Sequence, residues 1–165
     1  VLIHAGAGGV GHFAIQLAKH MGAFVSTTAS AKNRDFVLAQ GTDEHIDYRN
    51  QAFEEVASNI DFILDSMSGD VLAKSLEAVN DGGTIISLPH GDFPEELVNE
   101  AKKRNVNMAF MLVQSSGKDM ETLRDLLEKG ILKPHVSEVL SFAEMAKAHQ
   151  QLESGRTVGK IVIKM

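Results

Sequence analysis

Between the apolar Val1-Leu2-Ile3 and a stretch of helical periodicity, residues 4–12 read His-Ala-Gly-Ala-Gly-Gly-Val-Gly-His, so the glycines fall as Gly6-x-Gly8-x-x-Gly11. In a strand–turn–helix setting that spacing suits one task, bringing backbone N–H groups against the pyrophosphate of a dinucleotide. Gly6 would let the chain turn sharply out of the strand. Gly8 would remove the Cβ that stands between backbone and phosphate, and Gly11 would let the helix lie close on the sheet. The positive end of that helix faces the phosphate charge. Gly6, Ala7, Gly8, Gly9, Val10 and Gly11 are therefore the candidate pyrophosphate cradle.

The cofactor's sugar leaves its own signature. A site for NAD places an Asp or Glu at the end of the second strand, where it accepts both ribose hydroxyls. Here Thr27-Thr28-Ala29-Ser30-Ala31-Lys32-Asn33-Arg34 carries no acid before Asp35, which already lies in the next helix. Ser30, Lys32, Asn33 and Arg34 stand there instead, and they attract the 2′-phosphate that a carboxylate would repel. One cation at close range contributes a few kcal/mol at an effective dielectric of about 20, on the order of tenfold to a hundredfold in affinity after screening. The expected cofactor is NADPH. Ser30 also stands where a hydroxyl caps a helix, and one residue can do both. The missing acid weakens a methyltransferase reading too, and no Gly-Lys-Ser/Thr follows the glycines as a P-loop kinase requires.

Strand-like and helix-like segments alternate around these residues. The first helix carries Val10, Phe13, Ala14, Leu17, Ala18 and Met21 as one apolar stripe and stops at Gly22. Strands are expected at Phe24–Thr28, His45–Tyr48, Ile60–Leu64, Thr84–Leu88 and Val106–Phe110. Helices are expected at Lys32–Gln40, Phe53–Ala57, Asp70–Val79 and Glu95–Lys103, with Asp81-Gly82-Gly83 ending the third of these and Pro94 opening the fourth. This alternation predicts an α/β fold, a doubly wound, parallel, six-stranded Rossmann sheet whose ligand lies across the carboxyl ends of the strands. After about Ser115 the pattern changes to a helix Lys118–Lys129, an extended piece with Pro134 and Val136, a Ser141/Glu144 capping box opening Phe142–Leu152, and a strand Lys160–Lys164 that is apolar on both faces and lacks an evident neighbour.

Composition narrows the class. A chain of 165 residues with net charge −6 suits a soluble globular protein and argues against nucleic-acid partners. No apolar run reaches the length of a membrane span, and no secretory signal is present. With no cysteine, neither a disulfide framework nor a thiolate metal site can form, which fits a cytoplasmic setting. The seven histidines show no paired metal-binding spacing, and no metal is expected. His12 and His20 are expected on the surface of the first helix, Asp65 as the cap of a turn, and His90 near a nicotinamide position. The chain starts in mid-strand at Val1 without a methionine, as a piece of a longer protein would.

Ala5-Gly6-Ala7-Gly8-Gly9-Val10-Gly11, Gln16-Leu17-Ala18-Lys19, Ile46-Asp47-Tyr48-Arg49, Asp65-Ser66-Met67-Ser68-Gly69, Leu152-Glu153-Ser154-Gly155 and Gly159-Lys160-Ile161-Val162 together resemble the medium-chain dehydrogenase/reductase superfamily, in its zinc-free quinone oxidoreductase (zeta-crystallin-like) branch. The resemblance covers essentially the whole chain in order. It implies an NADPH-dependent oxidoreductase acting on a small molecule, a quinone or an activated C=C or C=O group. Tyr48 would lie against the 2′-phosphate, while Met67, Leu88, Pro89, Met111 and Val113 would line the adenosine and nicotinamide ribose side. Residues 1–115 would be the NADP-binding domain, and 116–165 the returning part of a GroES-like catalytic lobe whose N-terminal portion is not in this sequence. The chain alone would then be catalytically incomplete, and no catalytic side chain is assigned. The sixth strand would form a homodimer edge. The alternative is a non-catalytic dinucleotide-binding module, a sensor or a crystallin-like structural protein.

Overall fold

The computed structural model describes residues 1–165. Strands β1 (Leu2–Ile3), β2 (Ser26–Ala29), β3 (Glu44–Asp47), β4 (Ile60–Asp65), β5 (Val79–Ser87) and β6 (Asn107–Phe110) form one parallel sheet in the order β3-β2-β1-β4-β5-β6. Strand order reverses between β1 and β4, and α1 (Gly11–His20), α2 (Arg34–Ala39), α3 (Phe53–Val56), α4 (Asp70–Ala78) and α5 (Glu95–Lys103) are the crossovers. The sheet is buried on both faces, as a parallel sheet must be. On one face Leu2, Ile46, Ile63, Leu72, Leu76 and Ile85 pack together, and on the other Ile3, Ile15, Val25 and Val37. This is the doubly wound fold that the alternation predicts. No helix is long and apolar enough to cross a membrane.

The first helix departs from its apolar stripe. Val10 and Met21 are exposed, whereas the buried side is Gly11, His12, Ile15 and Gln16. The polar pair is inside because the chain beyond the sheet returns onto it. The Gln16 amide donates to the Lys133 carbonyl at 3.2 Å and accepts from the Lys133 N–H at 2.7 Å. His12, expected on the surface, is fully buried beneath the same segment; His20 is exposed.

A second departure concerns α4. It ends at Ala78, and β5 begins at once at Val79, running through Asp81-Gly82-Gly83 rather than starting after it. The Arg104 guanidinium collects the carbonyls of Leu76 and Val79 and the Asp81 carboxylate, which satisfies the helix end without a glycine stop. The extra residues form an irregularity in the β4–β5 register between Ile60 and Phe62, with Gly82 at φ 79°.

Beyond the sheet, α6 (Gly117–Glu128) leads to β7 (Val136–Ser141), then α7 (Met145–Glu153) and β8 (Lys160–Lys164). The last strand has a neighbour after all: β7 and β8 pair in parallel as a separate two-stranded sheet. Val162 is exposed, so the strand is buried on one face at most. The capping box forms, with the Glu144 carboxylate accepting from the Ser141 N–H at 3.1 Å. Helix α6 buries no residue, and its Met120 and Leu127 are exposed.

Two glycines separate close approach from mere flexibility. A Cβ on Gly11 would stand 2.3 Å from the Ala5 carbonyl oxygen, whereas one on Gly117 would meet nothing within 4 Å. Gly11→Ala is expected to lower unfolding free energy by about 1–3 kcal/mol through overpacking against backbone. Gly117→Ala is expected to be neutral or to stabilise by up to about 1 kcal/mol. Chemical denaturation of the two variants checks both; equal midpoints would contradict the packing described.

Candidate dinucleotide-binding cleft

The chain leaves β1 at His4 and turns at once. The left-handed residue of the turn is Ala5, at φ 52°, not Gly6. Thr28 holds this conformation: its hydroxyl accepts the Ala5 N–H at 3.1 Å and its carbonyl accepts the Gly6 N–H at 3.0 Å. Gly6 is small for a different reason, since a Cβ there would lie 2.1 Å from the Thr27 hydroxyl on β2. Gly11 allows the helix start to sit on the Ala5–Gly6 backbone rather than on the sheet. A Cβ on Gly8 would meet only the Ala5 carbonyl, 3.1 Å away, and its other side is open.

That geometry leaves donors unspent. Gly8 N–H bonds Ala5 O, whereas the N–H groups of Ala7, Gly9 and Val10 have no acceptor in the protein. They stand at the N-terminus of α1, where an anion is stabilised by both hydrogen bonding and the helix dipole. Buried or not, such donors need a partner, and a phosphate oxygen is one.

His4 underlies the turn and was not anticipated as part of the site. It is buried, with Nδ1 3.1 Å from the Thr28 hydroxyl and Nε2 2.9 Å from that of Ser75. The Ser75 hydroxyl donates to the Val71 carbonyl, so it accepts from Nε2–H, and Nδ1 accepts from Thr28. The ring is thus neutral, and it packs edge-on against Phe53 at 4.6 Å. Burial pushes its pKa down to about 4, with the Asp65 charge partly opposing.

Around the turn a cleft opens at the carboxyl ends of the strands. Ala7, Gly8, Ser30, Lys32, Asn33, Tyr48 and Met67 line it, seven of the residues singled out in the sequence. Ser30 is buried at the end of β2 and makes no side-chain capping bond. Arg49 lies beside Tyr48, its guanidinium 5.7 Å from the ring centroid. Asp47, at the end of β3, is folded into its own turn by Asn50 and the Arg49 N–H. No Asp or Glu lines the cleft, while Lys32, Arg49 and Arg156 do.

Other candidates fall elsewhere. Gly6, Gly9, Val10 and Gly11 shape the turn without lining the cleft wall. Arg34 is not part of the cleft wall and pairs with Asp35 at 3.6 Å. Leu88 and Pro89 follow β5 and Met111 and Val113 follow β6, outside this cleft, with Met111 and Val113 exposed. Asp65 accepts from the N–H groups of Met67 and Ser68, capping the turn as expected, and His90 is an exposed loop residue. Besides His4, the sequence reading missed Arg49, although it stands next to Tyr48. It also missed Gly155, Arg156 and Thr157, which the α7–β8 loop lays along the cleft. Lys160 comes in beside the turn, its Nζ 3.1 Å from where a Cβ on Gly9 would be. No cluster of His, Cys, Asp and Glu side chains able to hold a metal exists in these residues.

A family model described as zinc-binding dehydrogenase matches residues 40–163. The quinone oxidoreductase of Coxiella burnetii superposes with a TM-score of 0.92 at 35% identity, over 99% of this chain and 52% of that one. The 2-methylene-furan-3-one reductase of Solanum lycopersicum is 31% identical over 99% of this chain and 39% of its own length. Polyketide synthase GfsB of Streptomyces halstedii is 33% identical over 99% of this chain but only 3% of that protein. The chain thus spans about half or less of the relatives it matches.

The neutral His4 couples the turn to pH. Its folded-state pKa of about 4 lies below its ordinary 6.5, so the unfolded chain binds the extra proton between those values. Its contribution to stability is complete above about pH 6.5 and is lost as pH falls toward 4, by about 3 kcal/mol in all. Urea unfolding from pH 7.5 to 4.5 should show that decline, and His4→Gln should be less stable at neutral pH with a shallower decline. An unchanged slope in His4→Gln would overturn the assignment of the neutral ring.

Proposed function

Because this chain belongs to the zinc-binding dehydrogenase family of medium-chain dehydrogenase/reductases, we propose that it is the cofactor-binding part of an NADPH-dependent oxidoreductase. The observation that carries this reading is the pairing of three unspent N–H donors, on Ala7, Gly9 and Val10, with a cleft that holds three cations and no carboxylate. Bare amides at a helix start suit a pyrophosphate. Ser30, Lys32, Asn33, Tyr48 and Arg49, grouped at the ends of β2 and β3, suit the 2′-phosphate that separates NADPH from NADH. Arg156 adds charge from the far wall. Bound NADPH supplies a hydride from its nicotinamide ring, and the protein's part is to fix that ring's position and keep water away. Met67, Leu88, Pro89, Met111 and Val113, at the ends of β4, β5 and β6, are proposed to line the path toward the nicotinamide ribose.

The substrate we propose is a quinone or an activated C=C or C=O compound, in keeping with a quinone oxidoreductase and a furanone reductase among the relatives. We propose that hydride transfer runs without zinc, as in the zinc-free branch that the sequence resembles. Residues 1–115 are proposed as the dinucleotide-binding domain and 116–165 as a returning part of a second lobe. We place the protein in the cytoplasm.

A homodimer through β6 belongs to the same proposal. This strand is the sheet edge, and the Met111 N–H turns inward to Ser87 O. By alternation, the N–H groups of Met108 and Phe110 turn outward, free to meet a second copy across a two-fold axis. Met108→Pro removes one outward donor while sparing the ladder to β5. Light scattering should give a dimer for the parent protein and a shift toward monomer for the variant. A monomeric parent at tens of micromolar would rule this edge out.

For the cofactor, calorimetric titration should show NADPH binding about tenfold to a hundredfold tighter than NADH. Lys32→Glu should erase or invert that preference, because it places at the cleft the acid the sequence lacks. Equal affinities in the parent protein would sink the NADPH assignment.

A further inference from the structure

His12 is the one fully buried ionisable side chain on α1, and the cleft does not use it. Its partners fix its proton. Gly8 O can only accept, so Nδ1, 2.8 Å away, carries the hydrogen; the His135 N–H can only donate, so Nε2, 3.3 Å away, accepts. From His135 the bonding continues. The His135 carbonyl accepts the Lys160 N–H at 2.8 Å, and next door the Gly159 N–H reaches the Ala7 carbonyl at 2.9 Å. Gly159 must be glycine at that crossing, since it sits at φ 64° and a Cβ would lie 2.3 Å from His135 O. The path closes on itself: Ala7–Gly8, His12, His135, Lys160, Gly159 and back to Ala7.

We propose that His12 is a positioning residue that, through this closed circuit, clamps the segment 155–160 onto the glycine turn and thereby sets where the Lys160 ammonium meets a bound phosphate. Two segments separated in sequence by more than a hundred positions, Ala7–Gly8 of the turn and Gly159–Lys160, are held in one register by the direct Gly159–Ala7 bond and by the imidazole that ties Gly8 to His135. Lys160 has no ion pair of its own, and its Nζ lies over Gly9, beside the free N–H groups. The ring lies against Phe13 and Phe36, at centroid distances of 4.1 and 6.4 Å, and is shielded from solvent. Without the imidazole, the Gly8 carbonyl keeps only the His12 backbone N–H, 3.3 Å away, and the His135 N–H loses its partner, so the strand pair that carries Lys160 stays on the turn through the Gly159–Ala7 bond alone.

The clamp itself stands on this geometry; its effect on affinity rests on the cofactor reading above. Two measurements separate them. Amide hydrogen exchange on the ligand-free protein reads the circuit: in His12→Ala the amides of His135, Gly159 and Lys160 should exchange at least tenfold faster, while those of β4 and β5 keep their rates. His12→Asn, which can still donate to Gly8 O but is too short to reach His135, should loosen the same amides and keeps the test available if His12→Ala does not fold. Titration with NADPH reads the consequence: His12→Ala and Lys160→Gln should each weaken binding about tenfold. The double variant should bind within twofold of Lys160→Gln alone, since one residue acts through the other. Unchanged exchange at the three amides, or losses that multiply in the double variant, would overturn the proposal. If the parent protein binds no nicotinamide cofactor, the functional reading fails, and the exchange result alone decides the clamp.

Discussion

The hydroxyl and carbonyl of Thr28 are the point on which the nucleotide end of this molecule depends. They take the N–H groups of Ala5 and Gly6, and the hydroxyl in turn faces His4. A non-glycine residue in the left-handed region costs about 1–3 kcal/mol, so Ala5 stays there only while its surroundings insist. The insistence comes from β2, whose pairing with β1 places Thr27 and Thr28 alongside the turn. These bonds, with that of Gly8 to Ala5 O, leave the N–H groups of Ala7, Gly9 and Val10 with nothing in the protein to meet. The unspent donors are thus a by-product of how strand β1 is terminated.

Much of this was legible. The alternation of short apolar runs with amphipathic stretches fixes a parallel sheet, because no other arrangement buries both kinds of segment. The glycine spacing marks the turn that leaves backbone N–H groups unspent, and the stretch after β2 supplies a cleft wall without a carboxylate. What could not be read was anything set by distant chain. The inner face of α1 looks apolar at Val10, Leu17 and Met21, yet the buried side includes His12 and Gln16, whose partners at Lys133 and His135 are more than a hundred residues away. Arg104 likewise ends α4 from another helix, so the Asp81-Gly82-Gly83 stop signal is spent inside a strand.

The same reasoning separates the roles of the glycines. Position counts alone treat Gly6, Gly8 and Gly11 alike, but their neighbours differ. Gly6 yields to a side chain on β2 and Gly11 to backbone of the turn, whereas Gly8 yields to little within the protein. Gly8 meets only the Ala5 carbonyl and otherwise opens onto the cleft, a contrast visible only once the turn has been built. Arg156 and Lys160 belong to the same category of hidden information. Arg156 reaches the cleft wall and Lys160 the glycine turn because the β7-α7-β8 unit folds back over the turn.

The sparse interior of that last unit has a thermodynamic consequence. Its buried apolar side chains are Leu132, Leu140 and Ala148, and α6 contributes none. Cooperative unfolding requires each part to draw stability from the rest, and here the shared apolar area is thin while the polar ties to α1 and the glycine turn are few. The molecule therefore has a graded stability ladder, with the six-stranded sheet at the top rung and residues 116–165 at the bottom. Arg156 on the cleft wall and Lys160 over Gly9 ride on the part that opens most cheaply, so a ligand seated beneath them would tighten a remote helix as well as the cleft itself.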